Sequence, residues 1–214
     1  MPEPSSSSPA AAPRARSGSF DGLASRVAAP VMARMNADME RAAVELLRPA
    51  AGDRVLVVGF GPGVGVEELC RRATGVSVLG LDPSAAMGAA ARRRLAGIGP
   101  DRVELRRQTL EELEPAPGSF NRAVAVNTHQ LFEPHSRALA VLGAAVRPGG
   151  RFVSVTHDWA IERRLPLGAW RTLVEADAAA AGFRDLTWSN RAFRSGPATL
   201  LVAAAADPRP SAES

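Results

Sequence analysis

The feature that most constrains the fold is a glycine-rich loop within residues 54–70 (RVLVVGFGPGVGVEELC). The first residues of this segment are apolar at consecutive positions, which is typical of a parallel strand buried on both faces. Glycine then occupies every second position from 59 to 65, and a helix is predicted from residue 64. A strand, a glycine loop and a helix in this order predict the first unit of a parallel α/β sheet.

The rest of the chain repeats this alternation of strand and helix. The last predicted helix, near 168–181, precedes two candidate strands, FRDLTWSN and ATLLVAAA. The other predicted strands are 75–82, 102–108, 121–127 and the segment that follows the RPGG turn, and the other predicted helices are 64–73, 84–96 and 135–146. The pattern predicts an α/β fold with a Rossmann-like, doubly wound, mainly parallel sheet and helices on both faces.

The domain organisation follows from length and local composition. The chain has 214 residues, which suits one domain with a full core. Residues 1–20 are rich in Ser, Pro and Ala and predict a disordered tail, and residues 207–214 predict a second one. We therefore expect a single domain over 21–206, in which N-terminal helices at 21–49 form a possible lid over a pocket.

Composition excludes several classes of chemistry. All 26 basic residues are Arg, so the chain lacks the lysine of a Walker phosphate loop and of a Schiff-base enzyme. Cys70 is the one cysteine, which excludes an intrachain disulfide, and the three histidines show no zinc-ligand spacing, so no metal is predicted. No apolar run approaches the roughly 20 residues that a membrane span requires. We expect a cytoplasmic protein with no membrane contact.

The glycine spacing limits what the loop can hold. A dinucleotide fingerprint needs Gly or Ala five positions after its first glycine, where this chain has Val64 or Val66. The remaining pattern, G-x-G-x-G, suits a nucleoside joined to an amino acid, and the structural alternative is a tight turn that only relieves crowding. Asp82 ends the second predicted strand, where its carboxylate would accept hydrogen bonds from ribose hydroxyls or would cap the next helix.

Four motifs in order resemble the class I S-adenosylmethionine-dependent methyltransferases. They are VLVVGFGPG at 55–63, GLDPSAAM at 80–87, GSFNRAVAVN at 118–127 and VRPGGRFV at 146–153. The resemblance covers roughly residues 35 to 205 and implies S-adenosyl-L-methionine as the cofactor. One departure is Val57, which stands two positions before the first glycine, where the family commonly has an acidic residue.

The resemblance also implies which residues contact the cofactor. The loop residues Gly59, Phe60, Gly61 and Gly63 would lie against its amino-acid end. Asp82 would hold the ribose, with Pro83 beside the adenine, and Thr109 and Leu110 would flank the adenine edge. Asn127, at the end of the fourth strand, would face the methionine portion and the reaction chamber.

The reaction itself needs alignment of the methyl group with a nucleophile and, for some acceptors, a base. His157 and His129 follow predicted strands and are the candidate bases, with an ordinary polar role as the alternative for each. The segment NTHQ at 127–130 differs from the N-P-P-Y-like tetrad of enzymes that methylate bases, so we expect a small-molecule substrate and no nucleic acid. A homodimer is kept as a candidate assembly.

Two alternatives remain open at this stage. Because Val57 and Thr109 replace acidic residues that are common in the family, the protein could bind the cofactor without transferring a methyl group. The cofactor could also serve a cyclisation or rearrangement.

Overall fold

The computed structural model describes residues 36–206. The predicted tail 1–20, the predicted helical residues 21–35 and the predicted tail 207–214 lie outside the described residues. The proposed domain limits of 21–206 therefore stay a prediction.

A seven-stranded sheet forms the centre of the molecule, in the order β3-β2-β1-β4-β5-β7-β6. Its strands are β1 (Arg54–Val58), β2 (Ser77–Leu81), β3 (Val103–Arg106), β4 (Phe120–Val126), β5 (Val146–His157), β6 (Phe183–Phe193) and β7 (Gly196–Ala205). The first five run parallel. The α/β prediction is confirmed, including the doubly wound, mainly parallel sheet.

The last two strands depart from the parallel pattern. β6 and β7 form a hairpin joined by residues 194–195, and such a short connection can only join antiparallel neighbours. β7 pairs antiparallel with β5, so the hairpin inserts its second strand beside the parallel part of the sheet. The sequence predicts both strands, but it does not predict that they pair antiparallel.

Helices cover both faces of the sheet. They are α1 (36–47), α2 (Val64–Arg72), α3 (Ala85–Arg94), α4 (His135–Ala145), α5 (Asp158–Glu162) and α6 (Leu167–Ala180). One apolar cluster joins the sheet to α1, α2 and α3, and the other joins it to α4, α5 and α6. None of these helices is long and apolar enough to cross a membrane.

The two-face arrangement explains why β1 is apolar at consecutive positions. Val55 and Val57 pack in the cluster with α1, whereas Leu56 and Val58 pack in the cluster with α4 and α6. β1 is therefore buried on both faces, and its carboxyl end lies at the edge where the neighbouring parallel strands also end. That edge carries the loops after β1, β2, β4 and β5.

Candidate functional site

The loop after β1 contains several glycines, and each position requires glycine for a different structural reason. Gly59 and Gly61 both adopt the left-handed conformation, with φ of 72° and 51°. A Cβ at Gly59 would overlap Thr128 Oγ1, so this glycine lets the loop after β4 approach closely. A Cβ at Gly61 would meet no atom within 4 Å. Gly61 is therefore the loop glycine that faces open space and leaves its backbone accessible to a ligand.

The other two loop residues of the predicted site are committed to packing. Gly63 is the N-cap of α2, with φ of 85°, and a Cβ there would come within 3.1 Å of Ala91 on α3. Phe60 is buried, and its ring packs over Gly80 of β2. Only the backbone of these two residues is left to contact a ligand.

Asp82 fixes the loop from the neighbouring strand. Its Oδ2 accepts a hydrogen bond from the Gly61 N–H at 2.9 Å, and its Oδ1 accepts one from the Ser84 N–H at 2.9 Å. The carboxylate is buried, and this burial raises its pKa, although the two backbone hydrogen bonds oppose the rise. Since each carboxylate oxygen can accept two hydrogen bonds, Asp82 retains capacity for hydroxyl donors of a ligand.

The alternative role of Asp82 as the helix cap is resolved by the structure. Ser84 is the N-cap of α3, and its hydroxyl accepts the hydrogen bond from the Met87 N–H at 3.3 Å. Asp82 acts one step earlier, on the turn that precedes the cap. Its carboxylate therefore ties the glycine loop to the end of β2.

The predicted adenine-side residues lie on the loops after β2 and β3. Pro83 is exposed, and its carbonyl accepts a hydrogen bond from the Arg107 side chain at 3.1 Å. The Thr109 N–H donates to Glu112 Oε2 at 2.9 Å. Leu110 is buried in the core cluster on the α4 side of the sheet, so its side chain packs inward.

Asn127 and His157 meet at the ends of β4 and β5. Asn127 has φ of 53°, an unusual value for a residue other than glycine. Its Oδ1 accepts a hydrogen bond from the His157 backbone N–H at 3.0 Å, and its Nδ2 lies 3.7 Å from Met39 Sδ on α1. This amide therefore joins two strand ends to the first helix.

The His157 ring is held with one nitrogen toward the protein. Its Nδ1 lies 3.4 Å from the Pro197 carbonyl, and the ring stacks on Trp159 at 5.7 Å between centroids. A carbonyl can only accept, so the neutral ring carries its proton on Nδ1 and leaves Nε2 unprotonated. Among the described residues, none forms a hydrogen bond with Nε2.

His129 has a different environment, inside the core on the other face of the sheet. Its Nδ1 lies 2.9 Å from Ser154 Oγ and its Nε2 lies 3.2 Å from His135 Nε2. His135 Nδ1 in turn lies 2.6 Å from Asp177 Oδ2 on α6. Burial and the neighbouring His135 lower the pKa of His129 well below its ordinary value. Both ring nitrogens have partners and the side chain is fully buried, so this geometry favours a structural role.

One polar residue near the loop was missed by the sequence analysis. Glu40, on α1, reaches the first turn of α2, where a Cβ at Gly65 would overlap its Oε2. Burial raises the pKa of Glu40 from 4.5 to about 8. No local motif marks Glu40, because Gly65 is 25 positions away in the sequence. The one available signal was an acidic residue within an otherwise apolar helix face.

Part of the chain matches a known protein family. The methyltransferase domain family matches residues 55–150, which is the part that contains β1 to β4 and the start of β5. An uncharacterised methyltransferase of Bacillus subtilis, YdaC, is 30% identical over 165 residues. That alignment covers 75% of this chain and 87% of YdaC.

Two further comparisons cover less of the partner protein. A trans-aconitate 2-methyltransferase of Methylobacterium nodulans is 36% identical over 101 residues, covering 47% of this chain and 37% of the relative. A phosphoethanolamine N-methyltransferase of Haemonchus contortus, solved with phosphomonomethylethanolamine and S-adenosylhomocysteine, superposes with a TM-score of 0.70 at 16% identity. The match covers 85% of this chain and 57% of that one, and it shows a shared fold.

Proposed function

Since this chain belongs to the class I S-adenosylmethionine-dependent methyltransferases, we propose that it methylates a small molecule in a pocket at the carboxyl edge of its sheet. The enzyme class and the cofactor follow from the family. The acceptor class and the roles of individual residues are the proposal. The main observation behind the proposal concerns Gly61. A Cβ at this residue would meet no atom within 4 Å, and its N–H donates a hydrogen bond to the Asp82 carboxylate.

The residues present fit a nucleoside joined to an amino acid. The open backbone at Gly61 lets a ligand approach without meeting a side chain. Asp82 still has acceptor capacity for ribose hydroxyls, and the exposed Pro83 offers a flat apolar surface for a base. The backbones of Gly59, Phe60, Gly63 and Leu110 and the side chains of Thr109 and Asn127 complete the proposed cofactor site.

The chain's own contribution to the reaction is proposed to be alignment and, for a protonated acceptor, proton removal. When bound, S-adenosylmethionine supplies an activated methyl group on its sulfonium. Asn127 holds the backbone of His157 and contacts Met39, so it fixes the wall next to the reaction chamber. His157 Nε2 is the proposed proton acceptor, because Nδ1 faces a carbonyl. We do not retain His129 as a base, because it is fully buried with both nitrogens occupied.

A small-molecule acceptor is supported by chemistry at the pocket edge and by relatives. The segment 127–130 carries Asn, Thr, His and Gln, of which His129 is buried in the core and cannot stack on a flipped base. The trans-aconitate and phosphoethanolamine methyltransferases named above act, by their names, on small molecules. The cytoplasmic location and the homodimer stay predictions from the sequence.

The test is methyl transfer from S-adenosylmethionine with a labelled methyl group. The protein is incubated with carboxylic acids, primary amines, phosphorylated amines and phenols, and separately with RNA and DNA, while S-adenosylhomocysteine and labelled products are measured. We expect stoichiometric demethylated cofactor and label in one small-molecule class. Label in nucleic acid would contradict the proposed acceptor. Product formation without label or demethylated cofactor would favour the cyclisation alternative.

Two glycine variants provide a matched pair for the cofactor site. Gly61→Ala and Gly52→Ala introduce the same methyl group at left-handed positions, with φ of 51° and 77°, and neither Cβ would meet an atom within 4 Å. Both variants should lose about 1 kcal/mol of stability through backbone strain. Only Gly61→Ala should also weaken cofactor binding, measured by calorimetry; equal affinities would remove the glycine loop from the site.

A further inference from the structure

Helix α1 brings a carboxylate to the glycine loop from outside the motifs that define the family. The helix is fixed on the sheet at both ends, by Met39 Sδ near Asn127 Nδ2 at 3.7 Å and by the Arg151 guanidinium, which donates to the Leu46 carbonyl at 2.9 Å. Glu40 follows Met39 directly, and its Oε2 lies against the Cα of Gly65. The carboxyl group therefore lies against the first turn of α2, which directly follows the glycine loop.

The Glu40 carboxylate has no compensating charge within the described residues. No arginine or histidine of residues 36–206 forms an ion pair with it, and no described group donates a hydrogen bond to it. Desolvation is the cause of its raised pKa. Other carboxylates of the fold are paired, such as Glu68 with Arg71 and Asp53 with Arg122. Burial therefore favours the protonated form of this carboxyl group, and a cation bound beside it would favour the carboxylate.

The strand that leads into the loop cannot supply this charge. Val57, two positions before Gly59, is buried in the apolar cluster with α1 and α2. The amino-acid end of S-adenosylmethionine carries an ammonium group, and S-adenosylhomocysteine carries the same group. A cationic group placed on this loop would therefore meet the carboxyl group of Glu40, because position 57 offers no carboxylate.

We propose that Glu40 is the anionic partner of the cofactor's ammonium group and positions the amino-acid end of the cofactor over the glycine loop. The assignment rests on the proposed placement of the cofactor on that loop. The assignment makes α1 part of the binding site. The contact between Met39 and Asn127 would then hold Glu40 in position. Glu40 acts as a positioning residue, since it is assigned to the amino-acid end and not to the transferred methyl group.

The test compares two ligands that differ in the group Glu40 is proposed to bind. S-adenosylhomocysteine contains the ammonium group, whereas 5′-methylthioadenosine keeps the adenosine and the thioether and lacks the amino acid. Calorimetric affinities of the full chain are measured for both ligands with the wild type and with Glu40→Gln. We expect the variant to lose about tenfold to a hundredfold in affinity for S-adenosylhomocysteine, the loss of one charge-assisted hydrogen bond. Its affinity for 5′-methylthioadenosine should stay within twofold of the wild type.

The matched control is Glu45→Gln, which removes the same charge from an exposed position of the same helix. It should leave both affinities unchanged, which separates a local contact from the net charge of α1. Unchanged affinity of Glu40→Gln for S-adenosylhomocysteine would overturn the assignment. An equal loss for both ligands would also overturn it, because Glu40 would then shape the loop without meeting the ammonium group. Failure of the wild type to bind either ligand would instead refute the proposed cofactor placement itself.

A second variant approaches the same carboxylate from the opposite side. Gly65 lies in the first turn of α2, so alanine suits its backbone, but the added Cβ would overlap Glu40 Oε2 and displace it. Gly65→Ala should therefore weaken S-adenosylhomocysteine binding in the wild type and have little further effect in the Glu40→Gln background. Additive losses in the double variant would contradict the assignment.

Discussion

Replacing Asp82 with alanine removes the acceptor of two backbone N–H groups, each at 2.9 Å, from Gly61 and Ser84. A buried donor left without a partner costs about 1–3 kcal/mol. Two effects reduce the sum. A Cβ at Gly61 would meet no atom within 4 Å, so this residue borders open space from which water can reach its N–H once the carboxylate is removed. Burial raises the pKa of Asp82, so the ionised group already carries a desolvation cost that alanine relieves. We therefore expect the free energy of unfolding to fall by about 1–3 kcal/mol.

The same substitution should also weaken cofactor binding, for a separate reason. In the proposed site the carboxylate accepts hydrogen bonds from ribose hydroxyls, which are worth about 1–3 kcal/mol when the acceptor is charged. Chemical denaturation of the unliganded protein measures the first effect and calorimetry with S-adenosylhomocysteine measures the second. Asp101→Ala, which removes an exposed carboxylate from a turn, is the control and should change neither quantity. A less stable Asp82→Ala protein with wild-type affinity would refute the ribose assignment, and weakened binding at unchanged stability would refute the role in holding the loop.

Three further predictions concern packing and pH. Gly143→Ala should cost about 1–3 kcal/mol in thermal unfolding, because its Cβ would overlap the Ala181 carbonyl where α4 meets α6; an unchanged melting temperature would contradict that contact. As pH falls below about 6.5, unfolded His129 gains a proton that the buried ring does not, so stability should fall by up to about 1.4 kcal/mol per pH unit, and His129→Gln should remove this slope. Glu40 should act in the opposite sense, because its folded pKa is raised: as pH rises from 4.5 to about 8 the unfolded carboxyl loses its proton first, so stability falls with rising pH. A Glu40→Gln protein with the same slope as the wild type across that range would contradict this.

The two pH effects overlap between pH 4.5 and 6.5 and have opposite signs. A flat stability profile of the wild type in that range would therefore be uninformative by itself. Difference curves between the wild type and each single variant isolate one group at a time, because the two groups lie on opposite faces of the sheet. Glu40 lies on α1 beside α2, whereas His129 packs against the rings on the α4 and α6 side.

The buried histidine network favours a structural role for His129. The chain Ser154–His129–His135–Asp177 connects β5 to α4 and α6. His129 is also surrounded by the rings of Phe132, Phe152 and Trp170, at centroid distances of 5.0 to 5.5 Å. The network satisfies polar groups in an otherwise apolar layer, so it specifies how the helices pack on this face.

The proposed base and the proposed positioning residue meet through Asn127. This residue contacts the His157 backbone on one side and Met39 on the other, and Glu40 follows Met39 on α1. Its left-handed conformation aims the amide between the two elements. The cofactor end and the acceptor end of the proposed site thus share one polar support.

The sequence by itself determined the succession of strands and helices along the chain and which strand ends carry the glycine loop and Asp82. Consecutive apolar positions in β1 and the glycines after it are local signals, since they reflect burial on both faces and backbone conformation at single residues. The position of Asp82 at the end of β2 was equally readable, because strand ends follow from periodicity. The family motifs lie in these same segments, which is why they were recognisable.

Only the tertiary structure decided which residues of the candidate site face open space and which are used for packing. Gly61 and Gly63 occupy similar positions in the sequence pattern. A Cβ at Gly61 would meet no atom within 4 Å, whereas a Cβ at Gly63 would come within 3.1 Å of Ala91. Ser154 and His157 lie three positions apart in β5, so their side chains point to opposite faces of the sheet. His129, in the turn after β4, packs beside Ser154 on one face, whereas His157 lies near Asn127 on the other. Glu40 reaches the loop only because α1 folds back across the sheet. Contacts between distant segments depend on how helices pack, and no local pattern in the chain encodes them.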